Sequence, residues 1–292
     1  MNAHRHKSIT PQPHDLGDGF VVRRMLPSMQ QRTVGPFVFF DHIGPVVLEP
    51  GRGVDVRPHP HIGLSTMTYL FEGVFTHRDS TGVVQDIRPG AVNWMTAGRG
   101  VAHSERTPAP ERALGHRMHG VQFWVGLPQK DAEVEPSFTH VAADDLPAWI
   151  EPGGSVRLRL VAGEALGRRS PVPVHSRLFC LDVELDAGAQ FNLPAEHAER
   201  AIQVVAGVVD VDGASVPVHG MLVLEEGEVR VRAARPSRLV VFGGDALDGE
   251  RQVWWNFVAA TRERIDRARR DWKEGRFAQV PGETEFIPLP ER

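Results

Sequence analysis

The 292-residue chain has a single cysteine, Cys180, which excludes an intramolecular disulfide and a thiolate-rich metal site. Cys180 lies in the apolar run Leu178-Phe179-Cys180-Leu181 and reads as a small buried hydrophobe rather than a nucleophile. No stretch reaches the ~18 apolar residues that a membrane helix needs. Residues 1–13 are polar and His-rich and lack an apolar core, so they are not expected to act as a secretory signal. Basic charge is not in excess either. Lys and Arg number 33 against 37 Asp and Glu, and the net charge of -4 gives no bulk attraction to nucleic acid or anionic membrane. These absences lead to the expectation of a cytoplasmic protein with no direct nucleic-acid partner and no membrane partner.

Turn formers are what the chain has in quantity: 29 Gly and 23 Pro at short intervals. Between them lie strand-length runs rich in Val, Leu, Phe and Thr, at 35–40, 64–72, 83–87, 91–95 and 121–126. Such runs, cut by turn signals such as Asp79-Ser80-Thr81-Gly82 and Pro89-Gly90, predict an all-β sandwich or barrel. At roughly 150 residues per domain the length suggests two domains. The rhythm repeats weakly: Phe71-Glu72-Gly73-Val74-Phe75 resembles Val205-Ala206-Gly207-Val208-Val209. The polar, turn-rich stretch 142–154 is the expected seam, dividing the chain into 1–145 and 146–292. One segment reads as helix, with Asn256 as its expected cap, Val258, Thr261, Ile265, Ala268 and Trp272 on one face, and Gly275 as its stop. Interleaved Arg, Asp and Glu on the other face predict a solvated surface. The tail 282–292 is expected to run extended.

Chemistry concentrates in residues 54–108. His59 and His61 form one i, i+2 pair, and His103 and Glu105 form a second one. In an extended chain residues two apart point to the same side, so each pair offers two ligands to one point. Pro58 and Pro60 bias Arg57 and His59 towards extended geometry and remove ladder donors, which places this strand at a sheet edge. Three imidazoles and a carboxylate suit Fe(II), Mn(II), Ni(II), Cu(II) or Zn(II) better than Ca(II) or Mg(II). Five- or six-coordination would leave positions open for substrate or O2, whereas four-coordinate Zn would close the site. Among the remaining histidines, His77 sits beside a hairpin turn and is expected at the surface. His42 is assigned to a cavity wall or to core packing, and His116 and His119 are candidates for an outer contact. His140, His175, His197 and His219 have no same-side partner and are read as non-ligands.

The matching text Pro58-His59-Pro60-His61-Ile62-Gly63-Leu64, Thr68-Tyr69-Leu70-Phe71-Glu72-Gly73, His77-Arg78-Asp79-Ser80 and 93–105 resembles the pirin family of the cupin superfamily. The likeness is dense over 37–128 and looser beyond, where Trp255-Asn256-Phe257-Val258 also looks pirin-like. It implies two tandem, jelly-roll-like cupin β-barrels followed by a C-terminal helix, the first holding metal and the second degenerate. Gly53 and His59 fit the general first cupin motif. The glutamate of that motif is replaced by Thr66, and the resemblance implies that Glu105 supplies the acid. The implied ligand set is therefore His59, His61, His103 and Glu105 around one divalent metal, with Fe(II) the first expectation. Leu193, Ala195, Ala233 and Arg235 stand at the corresponding places of the second half, which predicts one metal per chain.

Two functions follow from the resemblance as expectations. One is a quercetinase-like dioxygenase that opens a flavonol ring with O2, Glu105 serving as the catalytic base. The other is a non-catalytic, iron-dependent redox sensor that acts through protein partners. A metal-dependent isomerase is a third reading, since one fold supports several reactions.

Overall fold

The computed structural model describes residues 6–16 and 20–291. Residues 1–5 of the polar N-terminal stretch therefore lie outside the described residues. The chain forms two compact units. The first comprises Pro13–Arg23, Phe40–Ala143 and Leu247–Arg292, and the second Met1–Gln12, Arg24–Phe39 and Asp144–Ala246.

In the first unit a four-stranded sheet runs in the order Asp55–His61, Val101–Arg106, Phe75–Asp79, Val84–Ile87. A larger sheet has Ser137–Val141, Val92–Thr96, Leu64–Glu72 and His116–Gly126 as consecutive neighbours. Alternation along these strands turns Leu70 and Met118 of the larger sheet towards Phe75 and Ile87 of the smaller, and they share one core with Val22, Ile43, Val54 and Ala91. Asp55–His61 is the sheet edge that its prolines require. Its register with Val101–Arg106 slips between His103 and Glu105, so that His103 pairs with His59 while Glu105 pairs with Val56. The extra residue falls at Arg57-Pro58, where proline has no N–H to give the ladder.

The hairpin turn after Asp79 forms as its sequence suggests. The Asp79 carboxylate accepts from the Thr81 backbone N–H at 2.8 Å, and Gly82 takes φ +94. Gly63, just past His61, has a stricter requirement. It sits at φ +66, and a Cβ there would lie 2.1 Å from the Val258 carbonyl oxygen.

The second unit repeats the two-sheet plan, with Gln190–Leu193, Val229–Ala233, Val208–Val211 and Ala214–Pro217 as its small sheet. Its interior is apolar, and Leu193, Val231 and Ala233 belong to one buried cluster with Leu181, Ile202 and Val241. Gly73 at φ +91 and Gly207 at φ +88 occupy the same conformation at the ends of matching strands, the mark of the weak internal repeat.

One expectation, the start of the helix, is corrected. By contacts Leu247–Arg292 groups with Phe40–Ala143. Ile265 and Ala268 of the helix are buried with Ile62, Phe257 and Ala259, so the apolar stripe of this helix covers the first barrel. The helix itself is Arg262–Lys273, capped by Thr261, whose hydroxyl accepts from the Arg264 N–H at 3.3 Å. Asn256 is not its cap. Trp255, at φ +51, turns the chain between two short paired strands, Gln252–Trp254 and Phe257–Ala259, and pairing keeps Val258 extended. Gly275 ends the helix at φ +68. Asp266 bonds Arg269 at 3.1 Å on the charged face, as a solvated surface would have it. No helix among the described residues is long and apolar enough to cross a membrane.

Candidate metal centre

The register of the small sheet lines up the chemistry. His103 pairs with His59 on one side and with Asp79 on the other, and Glu105 pairs with His77. The side chains of His59, His61 and His103 come together, with one ring nitrogen of each within 4.8 Å of the others. Among the described residues no other group of three His, Cys, Asp or Glu side chains meets that test. All three rings are buried, and Trp124 packs edge-on against His61 at 5.0 Å between centroids.

Hydrogen-bond partners decide which nitrogens are free. His59 Nδ1 donates to the Arg57 carbonyl at 2.9 Å and His61 Nδ1 to the Asn256 carbonyl at 3.1 Å. His77 Nε2 donates to Asp79 Oδ2 at 2.9 Å, which leaves His77 Nδ1 to accept from His103 Nδ1 at 3.3 Å. Each of the three clustered rings is thereby left with a lone pair on Nε2. The Nε2 atoms of His61 and His103 face each other at 3.1 Å. Two buried lone pairs at that distance repel unless a cation lies among them, so the donor set fits a divalent transition metal.

Burial drives the pKa values of His61 and His103 well below the ordinary imidazole value, and neighbouring imidazoles lower them further. His59 is lowered too, by burial, with partial offset from the Arg57 carbonyl and the Glu105 carboxylate. Neutral rings are what a metal requires. The same shifts predict acid instability of the metal-free protein. An unfolded imidazole takes its proton near pH 6.5, whereas a folded one resists to lower pH. The unfolded state thus binds more protons below 6.5, and stability falls as pH falls. The slope reaches about 1.4 kcal/mol per pH unit for each such histidine. Urea midpoints of metal-free protein at pH 7.5, 6.5 and 5.5 check this. A flat series would mean that the rings protonate inside the fold.

Glu105 is buried beside the cluster, but its carboxylate is engaged elsewhere. Gln122 Nε2 donates to both of its oxygens, at 2.8 and 2.9 Å, and the Thr68 hydroxyl donates at 3.2 Å. The structure therefore brings together three of the four expected ligands and holds the fourth on an adjacent pair of donors.

The chain matches the pirin family model over residues 19–125 and the model of the pirin C-terminal cupin domain over 180–278. A pirin-like protein of Caulobacter vibrioides is 49% identical across 95% of this chain and 96% of its own. Human pirin is 31% identical across 92% of each. The chain belongs to the pirin family. Among solved structures, the quercetin 2,3-dioxygenase of Acinetobacter baumannii superposes with a TM-score of 0.89 at 34% identity, over 98% of this chain and 96% of that one.

Within this pirin-family bicupin, several residues at the centre went unassigned by sequence reasoning or were placed wrongly. His77, expected at the surface, is 3% exposed and stacks on Phe138 at 4.5 Å. The turn beside it is exposed, but the ring alternates inward from an interior strand of the small sheet. A signal was present, because His77 and Asp79 are themselves an i, i+2 pair. Gln122 and Thr68 carried no such signal, since they meet Glu105 only once the large sheet closes over the small one. His42 and His119 are buried against each other, Nε2 to Nε2 at 2.8 Å.

Proposed function

We propose that this pirin-family protein is a quercetinase-like dioxygenase that opens a flavonol ring with O2, using Fe(II) held by His59, His61, His103 and Glu105. The observation that carries the reading is the buried trio of Nε2 lone pairs, beside a buried carboxylate to which Gln122 and Thr68 donate. Likeness to the Acinetobacter dioxygenase supports it. A metal bound there supplies Lewis-acid and redox chemistry for a flavonol hydroxyl and O2. The protein's part is positional. His59 and His61 are fixed by backbone carbonyls, so their free nitrogens are set before binding. Glu105 accepts the flavonol hydroxyl proton, and Gln122 steadies the carboxylate on either side of that transfer. Trp124, against His61, offers an aromatic wall to a flat substrate.

The test is O2 uptake by anaerobically Fe(II)-reconstituted protein with quercetin, run beside Glu105→Ala. Uptake that falls by about 100-fold or more in the variant is expected from loss of a general base. Tight iron binding with no uptake in the wild type would replace this reading with the partner-binding redox sensor.

A further inference from the structure

Behind His103, on the side away from His59 and His61, lies a buried relay that the proposed reaction does not use. Asp79 and His77 are 1% and 3% exposed, so neither exchanges its partner with water. The two carboxylate oxygens of Asp79 have separate tasks. Oδ1 accepts from the Thr81 N–H at 2.8 Å, the Thr81 hydroxyl at 2.6 Å and the Val83 N–H at 3.3 Å. Among the described residues Oδ2 accepts from His77 Nε2–H alone. His77 Nδ1 is then an acceptor, and among the described residues the one donor it meets is His103 Nδ1–H.

We propose that Asp79 and His77 are positioning residues that fix the tautomer of His103, keeping its Nε2 lone pair free for a metal and strengthening it as a donor. The proposal rests on the metal-binding half of the reading above, not on the dioxygenase half. A carboxylate that holds a histidine through its second nitrogen raises the basicity of the first, and here the effect passes through one more imidazole.

Asp79→Asn tests the relay because the three donors on Oδ1 dictate how the amide must sit. They hold its oxygen, so its NH2 faces His77 Nε2. His77 must then accept there and carry its proton on Nδ1. His103 must in turn accept on Nδ1 and carry its proton on Nε2, where the metal should be. Size and shape hardly change, yet the proton order of the whole relay reverses. Zn(II) affinity, measured by competition with a chromophoric chelator, is expected to fall by about 10- to 100-fold. Thr76→Val is the control. It removes a buried hydroxyl that bonds Asp86 at 2.7 Å on the same strand, outside the relay, and is expected to bind Zn(II) as the wild type does. His77→Phe preserves the stack on Phe138 and serves if Asp79→Asn does not fold, with a loss of about 10-fold expected.

The Fe(III)/Fe(II) potential is the second readout, and a purely structural role would not move it. Weaker donation from His103 disfavours the more highly charged ion, so the potential of Asp79→Asn should rise. Equal affinity in wild type and Asp79→Asn overturns the relay and leaves the metal site standing. Equal losses in Asp79→Asn and Thr76→Val, with an unmoved potential, overturn it as well. A wild type that binds no Zn(II) overturns the metal site itself, and the relay with it.

Discussion

His61→Ala is expected to reduce divalent-metal affinity by more than the roughly 100-fold that loss of an outer partner costs, because it removes a ligand. The ring is fully buried, its Nδ1 is held by the Asn256 carbonyl, and its Nε2 lies 3.1 Å from that of His103. Alanine leaves two of the three clustered nitrogens. His140→Ala is the matched control, since its ring bonds Asn93 at 2.7 Å outside the cluster. Titration of Ni(II) or Zn(II) into both proteins decides the matter. Equal affinities would remove His61 from the site. The variant should also lose part of the acid instability of the metal-free protein, because one of the proton-refusing rings is gone.

The second large effect is on stability. Phe257→Ala is expected to cost about 3–5 kcal/mol, the range for truncating a large buried aromatic. Phe257 has no exposed surface and lies in one cluster with Ile62, Ile265 and Ala268. Its ring centroid is 5.6 Å from that of Trp255 and 6.2 Å from that of Phe277. The same strand follows directly on Asn256, whose carbonyl orients His61, so metal affinity should fall along with stability. Three of the six tryptophans, Trp254, Trp255 and Trp272, border this cluster, which makes fluorescence-detected urea unfolding a direct probe. A change below about 1 kcal/mol would mean that the hairpin opens independently of the barrel it covers.

What could be read from the sequence was governed by period and by local chemistry. The i, i+2 spacing of His59 with His61 is a property of any extended chain, and prolines on either side of His59 enforced it. The cluster of His59, His61 and His103 was therefore visible before any strand was paired. Contacts set by sheet register were not. Gln122 is 17 residues from Glu105 and Thr68 is 37 away, and nothing in their neighbourhoods foretells that they meet at one carboxylate. His77 failed for a different reason. The polar turn at 79–82 dominated its surroundings and suggested exposure, although the alternation rule that found the clustered histidines would also have paired His77 with Asp79. The helix was found by its 3.6-residue period, but its cap was drawn five residues early. Asn256 is a good cap by residue type, and only the pairing of Phe257–Ala259 with Gln252–Trp254 shows the chain still extended there. Which barrel the helix covers was likewise beyond local pattern, because an apolar stripe does not name its partner.

The return of Leu247–Arg292 to the first barrel bears on the order of events at the ribosome. His59, His61 and His103 emerge early, but the carbonyl that orients His61 belongs to Asn256. The 153 residues from Ser104 to Asn256 must be translated after His103, which takes roughly 8 to 31 seconds at ordinary elongation rates of about 5–20 residues per second. Until then the nascent barrel lacks the strand, hairpin and helix that cover Ile62, and His61 lacks the acceptor that orients it. Metal captured during that interval would be held by an unfinished site. A stable metal complex at this centre would therefore be a late product of synthesis, completed after Asn256 has left the exit tunnel.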